Sequence, residues 1–184
     1  MSFNINTFKS ETFRKGEFQR ASKFEVTITP PTSLNANGYE RTLTYRCESV
    51  VFPGISTATH QVHRYGYGPY EKKPYNSIYT DVNMTVLGDE KGAAWGFFKR
   101  WNDLVFNSGA GDSPVAGAFE VGYKDQYRGG VVITTFDNKG EKSNAVELKE
   151  AYPIFVGDMR FDWGATNQII KIPVTITFWT YAPV

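Results

Sequence analysis

The sequence predicts a mainly β protein: two packed antiparallel sheets in a sandwich-like or barrel-like arrangement, one flanking amphipathic helix, an extended N-terminal arm and long loops. Short segments that alternate polar and apolar residues recur along the chain, separated by turns rich in Gly, Pro and Asn. Only one segment shows the three- and four-residue spacing of an amphipathic helix. Aromatic residues make up 16% of the chain, which is typical of β-structure or of large contact surfaces.

The N-terminal part is predicted to be an arm followed by strands. Single apolar residues five positions apart fit neither a strand nor a helix, so residues 1–21 are interpreted as an extended arm, with a frayed terminus as the alternative. These residues are Phe3, Phe8, Phe13 and Phe18. Alternating strands are predicted at residues 22–29, 41–52 and 79–87. Between the last two, residues 55–64 are predicted to be weakly extended and residues 65–78 to form a long Gly/Pro/Tyr loop.

The helix is predicted at residues 93–106, with Asp89 as its cap. Its core residues are predicted to be Trp95, Phe98, Trp101 and Val105. A hairpin is predicted from residues 119–123 and 131–137, followed by apolar sequence in 146–162. The last strand, residues 168–181, is predicted to be unusually long.

Composition predicts one domain over residues 1–184, with the arm at 1–21 and the core at 22–184. Twenty Lys and Arg against nineteen Asp and Glu give a net charge of +1, which argues against a dedicated nucleic-acid binder. One cysteine, Cys47, cannot form an internal disulfide. No apolar run resembles a signal peptide or a membrane span, so no stable membrane insertion is expected.

Catalytic and metal-binding signals are weak, and we expect no enzyme activity and no cofactor. His60 and His63 lie in a β-like stretch, where their odd spacing directs them to opposite faces. Cys47 has no base nearby in the sequence and is interpreted as a small buried residue. Asp158 and Asp162 adjoin glycines and are interpreted as exposed turn residues.

Long strands, an aromatic arm and a Tyr-rich loop favour a self-assembling structural protein, because unpaired strand edges recruit other chains. A ligand-binding β-barrel is the alternative from another class. The residues predicted to act in inter-subunit assembly are Phe3, Phe8, Phe13, Phe18, Arg64, Tyr67, Tyr70, Lys72, Lys73, Tyr75 and Trp179.

Several segments, in their order and spacing, resemble the tail tube proteins of contractile-tailed bacteriophages, which are related in fold to the type VI secretion tube protein. The series begins with the Gly-Glu-Phe-Gln-Arg entry to the first strand, and its most specific part is Ala-Tyr-Pro-Ile-Phe-Val-Gly-Asp-Met-Arg-Phe-Asp-Trp. The segments are residues 16–28, 45–54, 79–86, 95–101, 151–163 and 167–169. The Tyr- and Gly-rich residues 64–78 depart from the pattern.

The resemblance implies a subunit of stacked hexameric rings, whose inner sheets join into a hollow conduit that delivers DNA into the host. Residues 79–87 and 168–181 are expected to pair between subunits, and the arm and residues 55–80 to reach neighbours. The implied partners are further copies, the sheath protein, the tape measure protein in the lumen, the baseplate initiator, the tail terminator and DNA in transient passage. The implied location is the virion tail, assembled in the host cytoplasm. A baseplate ring protein that initiates the tube is the alternative within the same fold.

Overall fold

The computed structural model describes residues 4–14, 16, 18–34, 38–107 and 120–184 of the chain. It is mainly β with antiparallel sheets, as predicted, although four helices are present in these residues where one was expected. The helices are α1 (Ile5–Phe13), α2 (Tyr39–Arg46), α3 (Ala93–Val105) and α4 (Lys124–Tyr127). The strands are β1 (Phe24–Thr29), β2 (Cys47–Val50), β3 (Ile55–Val62), β4 (Glu71–Tyr79), β5 (Val82–Leu87), β6 (Phe106–Asn107), β7 (Glu120–Val121), β8 (Gly129–Phe136), β9 (Lys142–Val156), β10 (Lys171–Thr177) and β11 (Thr180–Pro183).

The 15-residue strand β9 joins the two halves of the main sheet, whose strand order is β1-β8-β9-β10-β5-β2. Its N-terminal part pairs with β8 and β11, and its C-terminal part pairs with β10. Between these parts the backbone of Glu150 is left-handed, with a φ of 54°. The described strands do not close into a barrel.

Alternation of side chains along the strands builds the core. In β5 and β10, Val82, Met84 and Val86 lie alongside Ile172, Val174 and Ile176, and all six are buried. In β1 and β8, Val26, Ile28, Val131 and Ile133 are buried as well. Helix α3 contributes Phe97, Phe98 and Trp101 to the same cluster.

Two helices replace segments that the sequence predicted to be extended. The prediction of an extended arm at residues 1–21 is wrong for residues 5–13, which form α1. Asn4 caps this helix by accepting a hydrogen bond from the Asn6 amide at 2.9 Å. The predicted strand at 41–52 is α2 up to Arg46 and β2 only from Cys47 onward. Leu43 faces the core from α2, whereas Tyr45, two residues later, is exposed, so this part of the chain does not follow strand alternation.

Three predictions for the connections are also corrected. The region predicted to be a loop at 65–78 contains strand β4, which pairs with β3. Strands β7 and β8 do not form the predicted hairpin, because β7 pairs with β6 and β8 lies between β1 and β9. The long strand predicted at 168–181 is interrupted at Phe178 and Trp179, so that β10 and β11 pair with different parts of β9.

Asp89 connects α2 to α3. The sequence predicts it as the cap of α3, but the residue in the N-cap position is Gly92, which makes no side-chain cap, and the Asp89 side chain reaches the first turn from three residues earlier. Its Oδ1 accepts a hydrogen bond from the Ala94 amide at 2.9 Å and lies 3.9 Å from Nη1 of Arg46. Burial disfavours its charged form, but the amides of Ala94 and Ala93 and the hydroxyl of Tyr39 hold the pKa of Asp89 below its ordinary value.

Replacing Asp89 by Ala is therefore expected to lower the free energy of unfolding at pH 7 by about 0.5–2 kcal/mol, the usual effect of losing a helix cap. Because the folded-state pKa is lowered, this stabilisation is present above the unfolded-state pKa and is lost as pH falls through the folded-state value. Urea unfolding of both proteins at pH 7 and in steps below pH 4 measures the difference. A difference that grows on acidification would contradict this role of the carboxylate.

Candidate assembly surfaces

Strands β3 and β4 form a hairpin, here called the assembly hairpin (residues 55–79), which has no hydrophobic core of its own. It is a separate two-stranded sheet, and its strand residues are exposed except for Ala58, Val62 and Tyr79, which are half-buried. An isolated two-stranded hairpin is at best marginally stable in water. Its eight-residue strand β3 spans about 26 Å at the usual rise per residue. The hairpin therefore presents two long, exposed strands to any neighbour.

The base of the assembly hairpin is fixed to the rest of the molecule by aromatic packing. The Tyr79 ring lies 5.9 Å from the Phe178 ring and 5.2 Å from the Tyr181 ring, measured between centroids. Next to it, the Thr80 amide donates to the carbonyl of Gly54 at 3.2 Å, and the Gly54 amide donates to Oγ1 of Thr80 at 3.1 Å. This anchorage sets the direction in which the hairpin leaves the core.

Six predicted assembly residues lie on the assembly hairpin, and all are exposed. They are Arg64, Tyr67, Tyr70, Lys72, Lys73 and Tyr75. Arg64 pairs with Glu71 of the same hairpin at 3.2 Å, and both side chains are largely in water, so the pair contributes little to stability. Tyr70 and Tyr75 pack against the His63 and His60 rings, respectively.

The arm and Trp179 supply further exposed aromatic surface. Phe8 and Phe13 are exposed on α1, which buries no residue, and the Phe13 ring contacts that of Phe18 edge-on at 5.8 Å. Trp179 is 67% exposed and lies beneath the ammonium of Lys124, 5.8 Å from it. Phe3, also predicted to act in assembly, lies outside the described residues.

Of the four predicted core residues of the helix, α3 buries three. Phe98, Trp101 and Val105 are buried, whereas Trp95 is 38% exposed. Trp95 is three residues before the buried Phe98, but the buried stripe passes through Ala94, Phe97 and Trp101 instead. The placement of Trp95 in the core is therefore wrong.

The described residues contain neither a cluster of metal ligands nor a reactive cysteine. None of their His, Cys, Asp and Glu side chains form a group of three or more that could hold a metal ion. Burial raises the pKa of the Cys47 thiol to about 11, so at neutral pH it is a poor nucleophile. Among the described helices, none is both long and apolar enough to cross a membrane.

Sequence reasoning missed two exposed apolar surfaces. In β9, Phe155 pairs with Thr175 and Pro153 with Ile176, so Ile154 is an extra residue in a β-bulge, and Ile154 and Phe155 are both exposed. The segment between β9 and β10 exposes Phe161, Trp163 and Ile169. The only sequence signal for the bulge is the break in alternation after Pro153.

Comparisons with known proteins agree with one another. A family model described as phage tail tube protein matches residues 19–183. The tail tube protein gp19 of Enterobacteria phage T6 is 24% identical over 177 residues, which cover 92% of this chain and 96% of that protein. The corresponding protein of Enterobacteria phage T4 is 23% identical over the same shares. A chain of the sheath-tube complex of an extracellular contractile injection system in its extended state has a TM-score of 0.60 at 16% identity, covering 100% of this chain and 99% of that one.

Proposed function

Because the chain belongs to the phage tail tube protein family, we propose that it is the repeating subunit of a tail tube made of stacked hexameric rings, which delivers DNA into the host. The two gp19 relatives are structural tail tube proteins and not enzymes. The match extends over nearly the whole of those proteins, which supports a tube subunit.

The assembly hairpin is the observation that carries the proposal. Its two strands are exposed along almost their whole length, and the contacts of Tyr79 and Thr80 fix its base to the core. A sheet of this kind gains stability by pairing with another chain. Subunits that pass such a contact from one to the next around a closed ring leave no subunit without a partner.

The polar face of β5 and β10 supports a role as the lining of the conduit. Opposite the buried face, Asn83 and Thr175 lie side by side, with Thr175 Oγ1 donating to Asn83 Oδ1 at 2.8 Å. Lys171 lies 2.5 Å from Glu48 and is neutralised by it. A lining with little net positive charge binds phosphates weakly, as passage of DNA requires.

The topology narrows which of the strands expected to join the subunits have a free edge. Residues 79–87 and 168–181 contain β5 and β10, which lie inside the main sheet with partners on both sides, and the first two residues of β11, which pairs only with β9. The edges of β5 and β10 are already occupied, so we expect the pairing between subunits at strands with a free edge, above all those of the assembly hairpin.

The further partners follow from the same proposal. A tube subunit contacts the sheath on its outer surface, the tape measure protein and then DNA in its lumen, and initiator and terminator proteins at its ends. Its final location is the virion tail, after assembly in the host cytoplasm. A baseplate ring that initiates the tube remains the second candidate, whereas a ligand-binding barrel is disfavoured because the described strands do not close.

Negative-stain microscopy of the purified chain tests the proposal. A repeating subunit forms long hollow tubes with sixfold rings, at least when seeded by a preformed tube end. An initiator stops at single rings under the same conditions. A protein that stays monomeric at every concentration, with or without seed, would contradict both candidates.

Deleting residues 1–20 is expected to leave the domain folded but to reduce tube formation. Helix α1 buries no residue, and within the described residues the arm meets the core through few bonds, such as that from Nδ2 of Asn138 to the Phe18 carbonyl at 3.4 Å. The thermal unfolding midpoint measures the first effect, and the concentration at which tubes appear measures the second. Normal assembly by the truncated chain would show that the arm has no docking role.

A further inference from the structure

We propose that the two edges of the assembly hairpin are not equivalent: the outer edge of β3 pairs with an edge strand of a second copy, while the outer edge of β4 is protected from pairing. The inference rests on the proposed function and specifies which backbone groups make the contact.

The register defines which backbone groups of β3 face outward. The Thr80 amide donates to the Gly54 carbonyl, so the backbone groups of Gly54 are directed toward the β4 side. Inward and outward directions alternate along a strand of an antiparallel pair. Strand β3 carries no extra residue, because the irregularity in the register lies in β4. The residues of β3 whose amide and carbonyl groups therefore face the outer edge are Ile55, Thr57, Thr59 and Gln61.

Strand β4 carries three features that protect an edge. Pro74 lies opposite Thr59, so its missing N–H removes an outward donor. Tyr75 is an extra residue between the pairs Ala58–Asn76 and Thr59–Pro74 and bends the strand locally. Lys72 and Lys73 add exposed positive charge. Proline, bulges and lysines are the usual devices that prevent edge-to-edge pairing.

Strand β3 has none of these features. Its sequence, Ile-Ser-Thr-Ala-Thr-His-Gln-Val, contains no Pro, Lys, Arg, Asp or Glu, and its pairing with β4 consumes only the inward groups. Four of its residues are β-branched, which favours an extended backbone. An edge of this length left open in a monomer is an aggregation hazard, so its lack of protection is understandable if a second copy covers it.

One open edge and one protected edge give each hairpin a single strand partner. Two open edges would allow sheets to grow on both sides of the hairpin without closure. The asymmetry therefore limits each hairpin to one added strand and disfavours open-ended growth of the sheet.

Matched proline variants test the inference. Thr57 and Ser77 are directly opposite each other, and both are exposed. Each has an outward N–H, so Thr57→Pro removes an outer-edge donor from β3, and Ser77→Pro removes one from β4. In the free subunit the Ser77 amide already donates to Oδ1 of Asn76 at 2.8 Å, so Ser77→Pro costs the hairpin this bond as well and is the stricter control. Thr57→Pro is expected to raise the concentration needed for tube formation by about tenfold or more, while Ser77→Pro changes it little.

Equal losses in the two variants, or a larger loss for Ser77→Pro, would overturn the inference. Hydrogen exchange on the unmodified chain provides a second test that needs no variant. On assembly, the amides of Thr57 and Thr59 are expected to exchange more slowly, whereas the Ser77 amide exchanges at the same rate as in the free subunit. Slower exchange of the Ser77 amide alone would overturn the edge assignment. Failure of the unmodified chain to form rings or tubes counts against the proposed function, whereas tubes with unprotected Thr57 and Thr59 amides count against this inference alone.

Discussion

Replacing Trp101 by Ala is expected to lower the free energy of unfolding by about 3–5 kcal/mol, the usual cost of truncating a buried aromatic residue. Trp101 is fully buried, and its ring packs edge-on against that of Phe97 at 5.9 Å. Its Nε1 donates a hydrogen bond to the Tyr127 carbonyl at 2.7 Å, so the truncation also leaves that acceptor unpaired.

Trp95→Ala is the matched control, because it removes the same side chain from the same helix at a position that is 38% exposed. Its expected cost is below about 1 kcal/mol. Urea unfolding of the three proteins under conditions that keep them unassembled gives both values. Similar losses for the two variants would mean that α3 does not bury the face described here.

The tight fit of the Trp101 ring explains why Gly129 begins β8. A Cβ atom at position 129 would lie 2.6 Å from Cζ2 of Trp101 and 2.6 Å from the carbonyl oxygen of Thr29. The sequence marks Gly129 only as a turn residue between two predicted strands. Gly129 in fact allows the backbone to approach the Trp101 ring closely. Because this contact comes from a distant part of the chain, the residues next to Gly129 in the sequence do not indicate it.

Helices and strands that bury one face against the core could be predicted from the sequence, because their apolar residues recur with the period of the element. Helix α3 and strands β1 and β5 each place one face against the core, so their periodicity indicates both type and position. Helix α2 could not be recognised in this way, because Leu43 is its only buried residue. Strand β4 is exposed on both faces, and nothing in its own sequence separates it from a loop.

The sequence predicted which residues form the candidate assembly surface, but it did not predict which strand edges are free. The Tyr, Lys and Arg residues at 64–75 were identified by their composition, and the structure gathers them on one hairpin. Strand edges depend on pairing across the whole chain, so the sequence could not show that β5 and β10 have no free edge or that β3 has one. The assembly roles of these residues remain predictions.

Removing the assembly hairpin is expected to abolish tube formation without unfolding the domain. Replacing residues 57–77 by Asn-Gly joins Ser56 to Ile78 through a two-residue turn, and these two residues already pair with each other. The side chains lost are exposed apart from half-buried Ala58 and Val62, so the free energy of unfolding should change by less than about 1 kcal/mol. Sedimentation velocity should show a monomer at concentrations at which the intact chain forms rings or tubes.

A second variant separates a strand edge from a simple spacer. Replacing residues 57–77 by a flexible Gly/Ser segment of equal length keeps the reach of the chain but removes the ordered donors and acceptors of β3. If the hairpin contributes backbone pairing, the Gly/Ser variant also remains monomeric. Its flexible segment would have to become ordered before it could form hydrogen bonds to a second subunit, and this ordering costs conformational entropy. Tubes formed by the Gly/Ser variant would show that the hairpin acts only as a spacer between subunits.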